Sequence, residues 1–278
     1  MFKTFAIGIE SNPYEQLATS IEYEEVTKDR KGAVLIDYKD ELIPLVRTTT
    51  DYKKPTQRFS KIHYDIIENI KKTSKVDDVK LNNALIEIYG SKYCTMGYHS
   101  DQSLDLDEKS YICIFSCYDN PGTKDVRKLI IKEKVTETVS DPVSENISKK
   151  DTDKCSKKSQ VKSKEQEKEK VLEILLTHCS VVMFSVETNS KFLHKIVLEH
   201  PSTNDKWLGV TFRLSKTFVR FINEIPYFHP TTKVLRLASA ETEKQQFYRL
   251  RSGENKSIKY VYPELDYTIS SSDTMPIR

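Results

Sequence analysis

The chain has 278 residues, of which 37% are apolar, and a formal net charge of +3. That length allows one sizeable core in one or two domains, and the small net charge excludes a strongly basic nucleic-acid-binding composition while leaving room for a local basic groove. No run reaches the roughly 18 apolar residues of a membrane span, and the N-terminus lacks the apolar centre of a signal peptide, so a soluble intracellular protein is expected. Five cysteines, Cys94, Cys113, Cys117, Cys155 and Cys179, with no CxxC, support neither a disulfide framework nor a thiolate zinc site.

In chain order, AVLIDY (Ala33 to Tyr38) predicts a strand, and the Pro and Thr content of Ile43 to Phe59 predicts a loop. SKIHYDIIENIKKTSK (Ser60 to Lys75) offers a Ser N-cap, with Ile62, Tyr64, Ile66, Ile67 and Ile70 near helical spacing. It predicts a helix packed against the outside of a sheet. Ile86 to Asp105, IEIYGSKYCTMGYHSDQSLD, runs into His99-Ser100-Asp101. In an extended segment residues i and i+2 share a face, so the imidazole of His99 and the carboxylate of Asp101 can converge. One His and one carboxylate are two legs of the facial triad of non-haem iron(II) oxygenases, which leaves coordination positions open. A second His is then required.

SYICIFSCY (Ser110 to Tyr118) and RKLIIKEK (Arg127 to Lys134) read as strands, with Cys113 and Cys117 as small apolar residues. From about Glu133 to Lys170, Lys, Glu, Asp and Ser dominate without an aromatic residue, which predicts a disordered insertion. KEQEKEKVLEILL, at its end, is read as a short helix. Val181 to His200 then gives a strand, a polar turn at Glu187 to Lys191, and a second strand carrying His194. Gly209 to Phe221 is one more strand, with Arg213 set in an apolar run. Beyond it lie a Pro-bounded turn, YFHPTT, a helix over SAETEKQQFYRLRSGEN with capping residues at Ser239 and Thr242 that ends near Gly253, and an extended KYVYPELDYTIS. This tail carries no chemistry legible from its residues. His63, His178, His200 and His229 are read as structural or solvated.

The order of HxD, distal His and late-strand Arg, from about Leu81 to Arg220, resembles the AlkB-like branch of the iron(II)/2-oxoglutarate dioxygenases. LNNALIEIYGSKYCTMGYHSD resembles that family's strand, Tyr-containing loop and HxD; VVMFSVETNSKFLHKI resembles its strand, turn and distal His; RLSKTFVR resembles its closing R-x-x-x-T-F-R. The resemblance implies a mostly β (α+β) fold whose residues 81–221 form a double-stranded β-helix, or jelly-roll, core. Residues 1–80 would be an N-terminal extension whose VRTTTDY serves as a substrate lid or an ordinary loop, and residues 222–278 a C-terminal extension.

It further implies Fe(II) held by His99, Asp101 and His194, with 2-oxoglutarate and O2 as co-substrates. Arg213 would pair with the distal carboxylate of 2-oxoglutarate, as only a forked guanidinium does bidentately, and Tyr89 would hydrogen-bond the same group. Tyr93, Met96 and Tyr98 fall where the family meets an alkylated nucleic-acid base, to be hydroxylated or oxidatively demethylated outside its stack. Two positions depart from the pattern. Glu87 stands where the family has Asn, and Arg220 comes one residue late, with Val219 at the matching site and the face therefore reversed. Hydroxylation of a protein side chain or small molecule, or a binding protein on this scaffold without turnover, are the alternatives.

Overall fold

Tyr111–Tyr118 alternates two apolar faces: Cys113, Phe115 and Cys117 on one side, Ile112, Ile114 and Tyr118 on the other, all buried. A strand apolar on both faces must be covered on both, and the molecule is layered accordingly. The computed structural model describes residues 1–9, 11–135 and 171–277, so the predicted insertion lies largely outside the described residues. The first third comprises β1 (Lys3–Ala6), α1 (Tyr14–Thr19), β2 (Glu24–Thr27), β3 (Arg30–Ile36), β4 (Ile43–Leu45), β5 (Gln57–Arg58), α2 (Lys61–Ser74) and β6 (Asn83–Tyr89). After the HxD loop come β7 (Tyr111–Tyr118), β8 (Lys128–Glu133), β9 (Val171–Leu175), β10 (Ser180–Ser185), α3 (Val186–Lys191), β11 (Phe192–Val197) and β12 (Trp207–Arg213). The remainder is β13 (Thr217–Ile222), β14 (Ile225–His229), β15 (Arg236–Leu237), α4 (Glu241–Lys256) and β16 (Tyr267–Thr268).

The fold is mostly β and antiparallel. The large sheet has the order β1-β10-β7-β12-β6-β3-β2, with β5 beside β3, and a three-stranded sheet has the order β11-β8-β9. Between the sheets, Ile114, Val182, Phe184 and Trp207 meet Leu129, Ile131 and Ile196 in one apolar cluster. On the outer face of the large sheet, Cys113, Phe115, Val181, Val210 and Phe212 meet Ile62, Ile66, Ile67 and Ile70 of α2. The helix therefore covers the sheet as its apolar spacing requires, and His63 at its third position accepts the Ser60 backbone N–H at 3.0 Å. Residues 1–80 supply β1, β2, β3 and β5 to the large sheet and are continuous with its core.

Five local expectations are corrected. Gly209 to Phe221, expected as one strand, is divided between β12 in the large sheet and β13 in a sheet with β14 and β4, and Ile43 to Phe59, expected as a loop, contains the short strands β4 and β5. Val171–Leu175, read as the end of a helix, is an edge strand: paired to β8 it satisfies its backbone along one side, which its Lys- and Glu-rich approach did not signal. The polar turn at Glu187 to Lys191 is the short helix α3, whose Thr188 N–H is capped by the Ser185 hydroxyl at 3.0 Å. Helix α4 passes through Gly253 to Lys256 and begins at Glu241, two residues after Ser239, whose N–H donates to Glu243 at 2.8 Å. Glu133 belongs to β8 and Lys134 is buried, its ammonium donating to the carbonyls of Glu254 (2.8 Å) and Ser257 (3.2 Å). Burial lowers its pKa to about 8. Among the described residues, no helix is long and apolar enough to cross a membrane.

Candidate metal centre

The pleat that buries Ala84 and Ile86 of β6 and Val210 and Phe212 of β12 in the outer cluster sends their alternate neighbours inward. In register, Trp207 lies opposite Tyr89, Gly209 opposite Glu87, Thr211 opposite Leu85 and Arg213 opposite Asn83. The first three pairs, together with Arg213, line a cavity of about 130 Å³ between the sheets. For comparison, engineered cavities of about 150 Å³ admit a benzene ring.

The HxD segment closes one end. It runs along the edge of β11, where His99 and His194 exchange both backbone hydrogen bonds at 2.9 and 2.7 Å. This pairing sets their rings side by side, with centroids 4.7 Å apart. Asp101 completes the group, and the ligand atoms of His99, Asp101 and His194 all lie within 4.8 Å of one another. Nε2 of His194 stands 3.5 Å from Oδ1 of Asp101. Nδ1 of His99 is 2.9 Å from the Gly97 carbonyl, which as a donor contact leaves Nε2 as its free lone pair. Burial, followed by the neighbouring His194, lowers the His99 pKa to about 3, so the imidazole is neutral, the form that ligates metal. Burial alone would raise the Asp101 carboxyl, but Arg213, with His194, holds it well below the usual carboxylate range. Two imidazoles and one carboxylate on a concave, largely buried face suit a divalent first-row metal such as iron(II).

The loop around Asp101 is held from outside. Asn189 of α3 accepts the Asp101 N–H at 2.8 Å and donates to its carbonyl at 2.7 Å. From α4, Asn255 accepts the Ser100 N–H at 3.0 Å, Glu254 accepts the Ser103 N–H at 2.9 Å, and Arg251 donates to the Ser100 carbonyl. The C-terminal extension, mute as sequence, thus fixes the ligand loop.

The two residues expected to hold a co-substrate carboxylate are both engaged by carboxylates of the chain itself. Arg213 donates from Nε to Oδ2 of Asp101 at 2.7 Å, with Nη2 2.7 Å from the same oxygen as an ion pair, and so stands beside the metal position instead of at the far end of the cavity. Tyr89 donates to Oε2 of Glu87. Glu87 also receives Arg30 on Oε1, at 2.9 Å from Nε and 2.5 Å from Nη2, and the Tyr52 hydroxyl at 3.0 Å. The metal fits this structure; a dicarboxylate co-substrate held by Arg213 and Tyr89 does not.

Among other expected contacts, Thr48, Thr49, Thr50 and Met96 line the cavity, and Tyr93 packs in the inter-sheet cluster. Tyr98 is half-buried between the ammonium groups of Lys132 and Lys195, 4.7 and 4.6 Å from its ring centroid. Arg220 reaches only toward the Asp40 carbonyl at 3.5 Å and does not line the cavity, as the reversed face requires. His178 accepts the Tyr118 N–H at 3.2 Å. A scan of the chain against protein-family models finds no match, and a search of curated proteins finds none either.

Proposed function

We propose that the protein is a mononuclear iron(II) oxygenase of the 2-oxo-acid-dependent class, AlkB-like in plan, with His99, Asp101 and His194 as metal ligands. The observation that carries this reading is the meeting of those three side chains at one end of a cavity between two antiparallel sheets, the place a double-stranded β-helix gives its metal. Iron bound there would supply oxygen activation. The chain's own residues do the rest. Asn189, Asn255 and Glu254 fix the backbone that presents Asp101, and Arg213 occupies one carboxylate oxygen so that the other faces the metal position. Ile114, Ile196, Leu85 and Trp207 supply the apolar part of the cavity wall.

For the substrate we propose an alkylated nucleic-acid base, hydroxylated or demethylated at carbon. Tyr98, next in sequence to His99, is an aromatic ring set in positive charge by two nearby ammonium groups, a combination that suits a base attached to phosphate. The test loads the protein with iron(II), supplies oxygen and a panel of 2-oxo acids, and measures formaldehyde release from methylated oligonucleotides beside methylated peptides. Release from oligonucleotides alone is expected. Release from peptides alone would move the substrate to protein, and failure to bind any divalent metal would overturn the class.

A further inference from the structure

The end of the cavity opposite the metal position is built around an acid. Glu87 is 8% exposed, and its carboxylate takes one guanidinium and two phenol hydroxyls. Room for this arrangement is made by a glycine on each neighbouring strand. Gly32 and Gly209 lie opposite Glu87 in the two registers. A Cβ at Gly32 would come within 2.8 Å of the Tyr52 hydroxyl oxygen and 3.2 Å of Glu87 Cγ, and one at Gly209 would collide with the Trp207 indole. The burial of Tyr52 and its hydrogen bond to Glu87 both act to raise its pKa well above normal, and the same holds for Tyr89, so both phenols remain donors.

The charged donors of this end are therefore already used. Arg30 and Glu87 neutralise each other, and the other buried guanidinium nearby, Arg127, does not line the cavity: it donates to the carbonyls of Tyr93 (2.7 Å) and Gly90 (2.8 Å). What is left unsatisfied on the cavity wall is uncharged. The indole N–H of Trp207 and both amide atoms of Gln102 are buried without a hydrogen-bond partner. A ligand whose far end is a carboxylate would set a second anion beside Glu87, with no unpaired cation at that end among the described residues that line the cavity. A ligand whose far end is uncharged carries no such penalty beside Glu87.

From this geometry we infer that the co-substrate of this site is a 2-oxo monocarboxylic acid with an uncharged polar tail, and that Glu87 excludes 2-oxoglutarate. The inference rests on the oxygenase reading above: the single carboxylate and keto group would face the metal end, where Arg213 and the metal are the positive charges, and the tail would face the end lined by Glu87, Tyr89 and Trp207.

The test compares two isosteres, 2-oxoglutarate and its C5 amide, by calorimetry on the full chain loaded with manganese(II), which needs no turnover. The amide is expected to bind at least about tenfold more tightly, and Glu87→Gln, which removes the anion but keeps its shape, to narrow or reverse the preference by a similar factor. Equal or tighter binding of 2-oxoglutarate by the unaltered protein overturns the inference and leaves the oxygenase reading standing. Binding of neither compound to the manganese-loaded protein overturns both. The comparison in the unaltered protein decides the matter even if the variant does not fold.

Discussion

Two pairs of carboxylate and arginine face one cavity, and they differ in what each has left to give. Asp101 commits Oδ2 to Arg213 and presents Oδ1 toward His194, 3.5 Å away. Glu87 commits Oε1 to Arg30 and Tyr52 and Oε2 to Tyr89, so that each of its oxygens already has a donor of the chain. The same chemistry makes a place that can take a metal in one case and a closed wall in the other. The number of donors decides, not the presence of charge.

The most severe way to break this comparison is at the open carboxylate. Asp101→Ala should lower manganese(II) or iron(II) affinity by about 100-fold or more, since loss of even an outer-shell partner of a ligand costs 10–100-fold. Unchanged stoichiometry and affinity in calorimetry would remove Asp101 from the ligand set.

Removal of the cations comes next, and here the two ends should part. Arg213→Met leaves Asp101 buried without its partner and should destabilise the metal-free protein by roughly 3–5 kcal/mol. Manganese supplies a replacement positive charge, so thermal unfolding should show it restoring more stability to the variant than it adds to the unaltered protein. Arg30→Met should cost on the order of 3 kcal/mol at the other end, with no such restoration. Equal responses to manganese would mean that the two pairs are alike.

An acid titration sharpens the contrast once unfolding is separated from loss of ligands. His63 is fully buried in α2, and its burial lowers its pKa from 6.5 to about 4. The unfolded chain therefore takes up this proton first. The share of stability that His63 controls should fall by roughly 3 kcal/mol as pH drops from about 6.5 to about 4 and then level off, on top of the loss from His99, whose lower pKa of about 3 carries its own share further down. Urea midpoints across that range, in the metal-free protein, should lose this slope in His63→Gln.

The smallest effect is expected at the clamp. Asn255→Ala frees the Ser100 N–H and should cost about 1 kcal/mol of stability, with metal affinity lowered by about tenfold. Affinity unmoved by this change would make α4 a packing element only.

How far these features were legible follows from sequence distance. His99 and Asp101 could be read because a spacing of two fixes their face, and the alternation of Tyr111–Tyr118 announced a strand covered on both sides. The helix over Lys61–Ser74 could be read from its isoleucines. Arg213 was visible as an inward arginine, but its partner lies 112 residues away and no local pattern names it. Arg30 reaches Glu87 across 57 residues, and Asn255 reaches Ser100 across 155. The one tryptophan of the chain was a signal left unused: so large a side chain beside a glycine two residues on marks a close approach, and Trp207 over Gly209 is that approach.

The clamp from α4 also sets an order of events during synthesis. A ribosome delivers His99, Asp101 and His194 before Arg251, Glu254 and Asn255, so for an interval the nascent chain carries every proposed ligand on a loop that Asn189 and pairing with β11 can hold but α4 cannot yet reach. Docking of α4 onto Ser100 and Ser103 adds the remaining backbone clamps, so the proposed ligands reach their final arrangement only once that helix is in place.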